Sequence, residues 1–353
     1  MTLSSVLPDT EVAAYEAELA DRLAVDHVVA VSSGTAALQC ALDAVGVGPG
    51  DEVLMPALTV VMSAAPVHHL GATPVFVDCA ADGAGLDYDD LAAKITSRTR
   101  AIMPVHLWGR ADGETVIRAV AAEHGLAVIA DACQALGTTV DTGEGAVQAG
   151  VQADIGCFST HRLKLLSTDE GGFLTTNDPD LAVRARAYRS HWQTAAGGHR
   201  PMSRLAHNFR LAEPLAQIGR RELRRLDDLV AQRQELTSMM LDLLRDVPRV
   251  SAVPQLPGQR WNHYAPLLHL NIEHPRAFAE HLAATGVPNS TGTFRLIPMD
   301  QRPMFTRDRP DCVNAAAFLD GILALVLTRD DDMHRIRDYA ETITQEVTRW
   351  GNT

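Results

Sequence analysis

Apolar runs and helical patterns alternate along the first half of the chain. Seven short runs rich in Val, Ile, Leu and Phe lie between residues 26 and 178: HVVAVSS, DEVLMP, TPVFVD, RAIMPVHL, LAVIADA, DIGCFST and GGFLTT. Their nearly continuous apolar character is typical of strands that are buried on both faces of a sheet. Segments with helical spacing, such as TAALQCALDAVG and ETVIRAVAAEHG, separate the first five runs. This alternation predicts an α/β architecture with a mostly parallel sheet.

The pattern changes after Asp178. The segment PDLAVRARAYRSHW and the arginine-rich stretch 211–245 are predicted to be helical, and the proline-containing segment VPRVSAVPQLPGQRW then indicates a boundary. A strand, YAPLLHLNI, and a helix, PRAFAEHLAATG, follow before the closing helices. We therefore predict a large domain over residues 1–240, which begins with a helix, and a smaller C-terminal α/β domain over residues 241–353.

Composition and charge exclude several classes of protein. The net charge is −13 and the only conspicuous basic run is GRRELRRLDD, so a nucleic-acid-binding face is not expected. No window approaches 18 consecutive apolar residues, so no membrane span is expected either. The five cysteines are scattered and never form C-x-x-C, and the N-terminal segment lacks a signal-peptide pattern. These features predict a cytoplasmic protein without disulfides or bound metal.

A turn of small residues, SSGT, connects the first apolar run to the first helical segment. Such a turn directs free backbone N–H groups and the positive end of the helix dipole at one point, where a phosphate group would bind. The hydroxyl groups of Ser33 and Thr35 would add donors. A simpler interpretation is that one of these hydroxyl groups only caps the helix.

An acidic residue, Asp131, ends the run LAVIADA, and Gln134 follows it. The carboxyl ends of strands are the edge at which open α/β sheets bind ligands. Asp131 is therefore a candidate ligand-binding residue, although it would also serve as a cap of the next helix.

Lysine is rare in this chain. Only Lys94 and Lys164 occur among the 31 Lys and Arg residues, and Lys94, in a polar helical segment, is interpreted as a surface residue. Arginine cannot replace lysine where a neutral amine must attack a carbonyl, because a guanidinium group never deprotonates in practice. Schiff-base formation is the main reaction with that requirement. A phosphate-binding turn, a carboxylate and a reactive amine together predict pyridoxal phosphate as the cofactor.

Seven segments resemble, in order, the pyridoxal phosphate-dependent aminotransferases of the DegT/DnrJ/EryC1/StrS type. They are AVSSGTAAL, GDEVLMPALT, GATPVFVD, IMPVHLWGR, IADACQALG, ADIGCFSTHRLKLLSTDEGG and HNFRLAEPLAQIG. The serine five residues before Lys164 and the Glu-Gly-Gly that begins six residues after it are the most specific matches. The resemblance implies the fold-type I, aspartate aminotransferase-like α/β fold. It also implies an enzyme that aminates nucleotide-linked keto sugars or cyclitols.

The resemblance assigns eight positions to cofactor binding. They are Gly34, Thr35 and Ala36 at the phosphate-binding turn, Ser159 at the phosphate, Asp131 at the pyridine nitrogen, Gln134 at the ring hydroxyl, Lys164 as the Schiff-base lysine, and Asn208. Lys164 and Asp131 are also expected to be catalytic. Asn208, in HNFR, is expected to reach the phosphate of a neighbouring subunit, which implies a homodimer with shared active sites.

Three positions differ from the family pattern. Val60 stands where an aromatic residue usually stacks on the cofactor ring, and Ala130 replaces a frequent glutamate. Asp169 replaces a glycine, and aspartate tolerates a left-handed backbone better than most residues. None of these differences changes the predicted cofactor.

The predicted activity is a ping-pong amino transfer. The donor is expected to be glutamate or glutamine, and the acceptor a keto sugar, cyclitol or related secondary-metabolite carbonyl, with segment 289–305 contributing to the acceptor pocket. Two alternatives are a pyridoxal phosphate-dependent dehydratase or lyase of the same family and a non-catalytic regulatory protein that binds the cofactor. Sugar dehydratases of the family carry histidine at the lysine position. His106, Trp108 and His161 lie near the motifs, where they either touch substrate or are structural.

Overall fold

The computed structural model describes residues 10–81, 83, 85–111, 113–192, 204–305 and 311–350. The helices are α1 (Thr10–Leu23), α2 (Gly34–Ala44), α3 (Val61–His69), α4 (Tyr88–Ala93), α5 (Glu114–His124), α6 (Pro179–Arg189), α7 (Glu213–Leu223), α8 (Leu226–Leu244), α9 (Pro275–Ala284), α10 (Val313–Asp320) and α11 (Met333–Trp350). The strands are β1 (His27–Val31), β2 (Glu52–Pro56), β3 (Thr73–Val77), β4 (Thr99–Ile102), β5 (Ala127–Asp131), β6 (Thr139–Asp141), β7 (Ala146–Gln148), β8 (Ile155–Ser159), β9 (Gly172–Thr176), β10 (Val250–Ala252), β11 (Gln259–Arg260), β12 (Leu267–Leu270) and β13 (Ile322–Ala324). Within the described ranges, none of these helices has the length and apolar character that crossing a membrane requires.

A seven-stranded sheet forms the centre of the molecule. Its strand order is β1-β9-β8-β5-β4-β2-β3, and each of the seven predicted apolar runs forms one of its strands. The pairs within β8-β5-β4-β2-β3 are parallel, whereas β9 is antiparallel to both of its neighbours. Every position of β2, β8 and β9 is buried, which explains why these runs lack the alternation of a half-exposed strand.

Helices cover both faces of this sheet. Along β1, Val28 and Ala30 pack in a core with α1 and α7, while Val29 and Val31 pack in a core with α2 on the opposite face. The alternation follows from the period of two along a strand. The result is a three-layer arrangement, which agrees with the α/β architecture that the sequence predicts.

The C-terminal part forms a second, smaller sheet, β10-β12-β13, which is antiparallel. Its core also contains residues of α8, α9 and α11. Helix α8 reaches both cores, because Val230 packs in the core of α1 and Met240 in the C-terminal core. Strand β11 pairs with β6 and so returns to the first part of the chain. The division into domains 1–240 and 241–353 remains a prediction.

Lys94 is not the surface residue that its polar segment suggested. It ends helix α4, and its ammonium group donates hydrogen bonds to the Phe76 carbonyl oxygen at 2.7 Å and to Asp90 Oδ2 at 2.9 Å. The side chain is only 19% exposed. Lys94 therefore links α4 to the end of β3.

Candidate active site

The loops that follow β1, β5 and β8 line one cavity of about 450 Å³, a volume in the range of small-molecule sites. These three strands run in the same direction, so their carboxyl ends lie at one edge of the sheet. The cavity lining includes six of the eight predicted cofactor residues: Gly34, Thr35, Asp131, Gln134, Ser159 and Lys164. Ala36 and Asn208 are not among the lining residues.

The turn before α2 both caps the helix and offers free N–H groups to the cavity, so both interpretations made from the sequence apply to it. Ser33 is the N-cap residue, and its hydroxyl oxygen accepts a hydrogen bond from the Ala36 N–H at 3.0 Å. The N–H groups of Gly34 and Thr35 lie in the first turn, where helix geometry provides no intrahelical acceptor. Both residues line the cavity. The positive end of α2 therefore faces the cavity with donors suited to an anion such as a phosphate group.

Gly34 allows this turn to lie directly against the ends of two strands. A Cβ atom at this position would lie 2.7 Å from Cys133 Sγ and 2.8 Å from Ser159 Cβ. Any other residue would displace the turn from the strand ends. The absence of a side chain at Gly34 thus shapes the space in front of the Gly34 and Thr35 N–H groups. This space fits the phosphate of the predicted cofactor.

The glycines of the Glu-Gly-Gly motif have a related packing role. A Cβ atom at Gly172 would lie 2.6 Å from the Phe158 carbonyl oxygen and 2.6 Å from the Ser33 carbonyl carbon. The first residue of β9 therefore supports the turn from behind. This contact gives a physical reason for a glycine that the sequence matched only by resemblance.

Asp131 is buried at the end of β5, with 4% of its surface exposed. The Ser63 hydroxyl donates a hydrogen bond to its Oδ2 at 2.7 Å, and the Cys133 N–H donates to its Oδ1 at 3.1 Å. Burial raises the pKa of the Cys133 thiol well above its ordinary value, so the neighbouring sulfur is neutral. A fixed, buried carboxylate of this kind fits a protonated pyridine nitrogen.

Gln134 is held by the loop after β4. Its Oε1 accepts a hydrogen bond from the Trp108 N–H at 2.6 Å, which leaves the amide NH₂ as a donor toward the cavity. The Trp108 indole donates to the Ser290 hydroxyl at 3.1 Å. Trp108 is 4% exposed, has a positive φ of 59° and itself lines the cavity, and its two hydrogen bonds connect it to both of these residues.

Lys164 lies in the loop between β8 and β9. Hydrogen bonds across the loop join the Thr160 N–H to the Gly171 carbonyl oxygen at 2.9 Å and the Arg162 N–H to the Asp169 carbonyl oxygen at 2.7 Å. Asp169 has a φ of 71°, the left-handed conformation expected where glycine is usual. These hydrogen bonds join the two sides of the loop, and the Lys164 side chain lines the cavity.

The remaining candidates divide between the cavity and the core. Val60 precedes α3 and lines the cavity, at a position consistent with packing against a ring. His106 lies 2.8 Å from Glu114 and is 1% exposed, which indicates a structural pair although its edge reaches the cavity. His161 lies at the cavity, 3.6 Å from Glu170. The predicted segment 289–305 contributes four lining residues: Ser290, Phe294, Leu296 and Arg302.

Two site residues were missed by the sequence analysis. Ser63 contacts Asp131 from α3, and its spacing of four residues from Thr59, with which it shares a hydrogen bond of 2.9 Å, was the only available signal. Tyr264 contacts Lys164 and lies in a segment predicted only as a strand. Nothing in the sequence near Tyr264 indicates that contact.

An α/β sheet with a lysine, a buried carboxylate and a glycine-containing turn around one cavity is the arrangement of pyridoxal phosphate-dependent enzymes of fold type I. The model of the DegT/DnrJ/EryC1/StrS aminotransferase family matches residues 5–343. The chain therefore belongs to this family. The family and the fold class predicted from the sequence are thus confirmed.

Individual proteins are similar over different parts of the chain. GDP-perosamine synthase from Caulobacter vibrioides is 40% identical over 63% of this chain, and the match spans 58% of that relative, less than two thirds of its length. The dTDP-3-amino-3,4,6-trideoxy-α-D-glucose transaminase from Streptomyces venezuelae is 32% identical over 96% of this chain and 87% of its own. Among solved structures, the aminotransferase TlmJ from Streptoalloteichus hindustanus superposes with a TM-score of 0.85 at 27% identity, covering 97% of this chain and 92% of its own.

The packing at Gly172 can be tested by adding one methyl group. We expect Gly172→Ala to lower the free energy of unfolding by about 1–3 kcal/mol, as overpacking of a core does, and to weaken pyridoxal phosphate binding at least about tenfold. Urea denaturation and a cofactor titration measure the two effects. Gly48→Ala is the matched control, because its methyl group would have no heavy atom within 4 Å. Equal free energies of unfolding and equal cofactor affinities for the two variants would show that β9 does not support the turn.

Proposed function

We propose that this protein is an aminotransferase that moves an amino group from glutamate or glutamine to a keto sugar or a related carbonyl compound. The observation that supports it most is the single cavity lined by the Lys164 amine, the Asp131 carboxylate and the Gly34 turn. The names of the relatives from Caulobacter vibrioides and Streptomyces venezuelae contain GDP- and dTDP-linked amino sugars. They favour a nucleotide-linked keto sugar as the acceptor.

Each residue has a defined role in this proposal. Pyridoxal phosphate, when bound, supplies an electron sink and carries the amino group between the two substrates. The Gly34 and Thr35 N–H groups and the Ser159 hydroxyl would hold its phosphate, and the Gln134 amide would donate to its ring hydroxyl. Asp131 would keep a proton on the pyridine nitrogen through its negative charge. The Lys164 amine, once free, would act as the general base that takes the proton from the donor α-carbon. It would then act as the general acid that returns a proton in the same half-reaction.

The two alternative functions make different demands on Lys164. A dehydratase of this family would carry histidine at that position, so the lysine favours amino transfer. A regulatory protein that binds the cofactor would also use a lysine amine in this cavity, so only a test of amino transfer separates it from an aminotransferase. The regulatory alternative predicts that an amino donor loses no amino group to the protein.

The proposed half-reaction can be measured without knowing the acceptor. With glutamate alone, the cofactor-loaded protein should release about one 2-oxoglutarate per active site and then stop, as a ping-pong scheme requires. Glutamine in a parallel reaction tests the other donor. Lys164→Arg keeps the charge but not a neutral amine and should release nothing, whereas Lys94→Arg should behave as wild type. A loaded protein that releases no keto acid from either donor would support the regulatory alternative.

The role of Asp131 predicts a loss of turnover without a loss of fold. Asp131→Asn keeps the shape but removes the charge, so the rate of keto-acid release should fall about 100-fold or more. Asp154→Asn is a control at the opposite end of the same strands, where Asp154 accepts a hydrogen bond from the Val128 N–H at 2.7 Å. Stopped-flow measurement of the rate of keto-acid release by both variants decides whether the Asp131 charge is required. A rate for Asp131→Asn close to that of wild type would remove this carboxylate from the reaction.

We also propose that the protein is a homodimer whose subunits share their active sites. Asn208 does not line the cavity of its own chain and is exposed, and it pairs with Ser190 in a short antiparallel bridge. Leu205, three residues earlier, is 97% exposed and would be covered by a partner subunit at this face. The cytoplasmic location inferred from the cysteine pattern stays a prediction.

Subunit mixing tests the shared site. Lys164→Ala and Asn208→Ala should each have little activity. After subunit exchange, half of the dimers are mixed and each has one intact site of two, so about a quarter of wild-type activity should return in an isologous dimer. Native mass spectrometry verifies the exchange. Mixed dimers with no more activity than the single variants would place Asn208 outside the partner's site.

A further inference from the structure

We propose that Tyr264 is a positioning residue for the Lys164 amine. Only the expected effect of Tyr264 on the reaction rate rests on the proposed function. The Lys164 ammonium nitrogen lies 3.3 Å from the Tyr264 hydroxyl oxygen, and the two form a hydrogen bond. The same nitrogen lies 4.7 Å from the centroid of the Tyr264 ring. One side chain thus contacts the amine in two ways, through a polar group and through an aromatic face.

The chemistry of these contacts suits a lysine that changes its protonation state. A phenol hydroxyl accepts a hydrogen bond from an ammonium group and donates one to a neutral amine, so the contact persists in both states. The ring face attracts the charged form. A lysine side chain has large rotamer freedom, which these contacts restrict. Tyr264 would therefore keep the amine in place whenever Lys164 is not covalently bound.

The Tyr264 backbone is fixed by a buried cation. Arg233, which is 4% exposed, donates hydrogen bonds to the Tyr264 carbonyl oxygen at 3.0 Å and to the Thr328 carbonyl oxygen at 3.1 Å. Burial lowers the pKa of Arg233 to about 10, which still leaves the guanidinium charged at neutral pH. This cation therefore connects α8 to the segment that carries Tyr264.

The same segment is bonded to the other side of the cavity. The Tyr264 N–H donates to Asn262 Oδ1 at 2.9 Å, and the Asn262 amide donates to the carbonyl oxygens of Gln134 and Leu136, both at 2.9 Å. One asparagine thus connects Tyr264 to the loop that follows Asp131. The distance between the Lys164 amine and the Asp131 side of the cavity is set through this connection and does not depend on the β8–β9 loop alone.

Because the chain has only two lysines, the position of the amine can be tested without turnover. The cofactor-free protein is treated with a limiting amount of an acetylating reagent, and mass spectrometry gives the ratio of acetylation at Lys164 to that at Lys94. Tyr264→Phe removes the hydroxyl and keeps the ring, and should raise this ratio about three- to tenfold, the effect of losing one hydrogen bond. Tyr264→Leu also removes the ring and should raise it further.

A matched control removes a tyrosine hydroxyl elsewhere. Tyr339 in α11 donates a hydrogen bond to Asp331 Oδ1 at 3.4 Å, and Tyr339→Phe should leave the Lys164 to Lys94 ratio unchanged. In the loaded enzyme, Tyr264→Phe should slow keto-acid release about tenfold while the cofactor dissociation constant stays within about twofold, since the phosphate turn and Asp131 are intact.

The outcomes separate this proposal from the proposed function. A ratio for folded Tyr264→Phe equal to that of wild type would overturn the positioning role, whatever the enzyme does. A wild-type protein that releases no keto acid would contradict the aminotransferase function, and the acetylation ratio would still decide the role of Tyr264. If Tyr264→Leu does not fold, the comparison of Tyr264→Phe with Tyr339→Phe is sufficient.

Discussion

The candidate site depends on the close packing of the Ser33–Gly34 turn against the ends of β8 and β9. A Cβ atom at Gly34 or at Gly172 would lie within 2.8 Å of neighbouring heavy atoms, so both positions require glycine. Without this contact the N-terminus of α2 would lie farther from the strand ends. Its donors would then no longer face the same cavity as the Asp131 carboxylate and the Lys164 amine. The arrangement of the site therefore depends on glycine at positions 34 and 172.

Strand direction determines the remaining geometry. Because β1, β5 and β8 are parallel to one another, residues far apart in the sequence emerge at one edge of the sheet. Strand β9 runs the opposite way, so its first residue, Gly172, starts at that same edge. The loop between β8 and β9 consequently begins and ends beside the α2 turn. A lysine in the middle of this loop is thereby directed into the cavity, with no need for a long excursion of the chain.

The sequence predicted the large sheet and most of the lining residues, because both depend on strong local restrictions. Seven short, continuous apolar runs in alternation with helical segments are typical of buried strands, and among side chains lysine is the one that forms a Schiff base with a carbonyl. Strands β6, β7, β10, β11 and β13 were missed because they have two or three residues each, and β11 pairs with β6 across more than 100 positions. Ser63 and Tyr264 were missed for the same reason, since their contacts exist only after the fold has formed.

The rarity of lysine does not by itself distinguish the roles of the two lysine residues. The Lys94 amine donates to a carbonyl oxygen and to the Asp90 carboxylate. Burial lowers the pKa of Lys94, but the hydrogen bonds to Asp90 and Asp311 and the nearby negative charges together outweigh it, so the pKa lies above its ordinary value. That amine therefore stays charged, as a guanidinium group would. The Lys164 amine instead meets the neutral hydroxyl of Tyr264, a partner that accommodates both the charged and the neutral amine. The partners of the two amines, and not their rarity, distinguish a structural lysine from a reactive one.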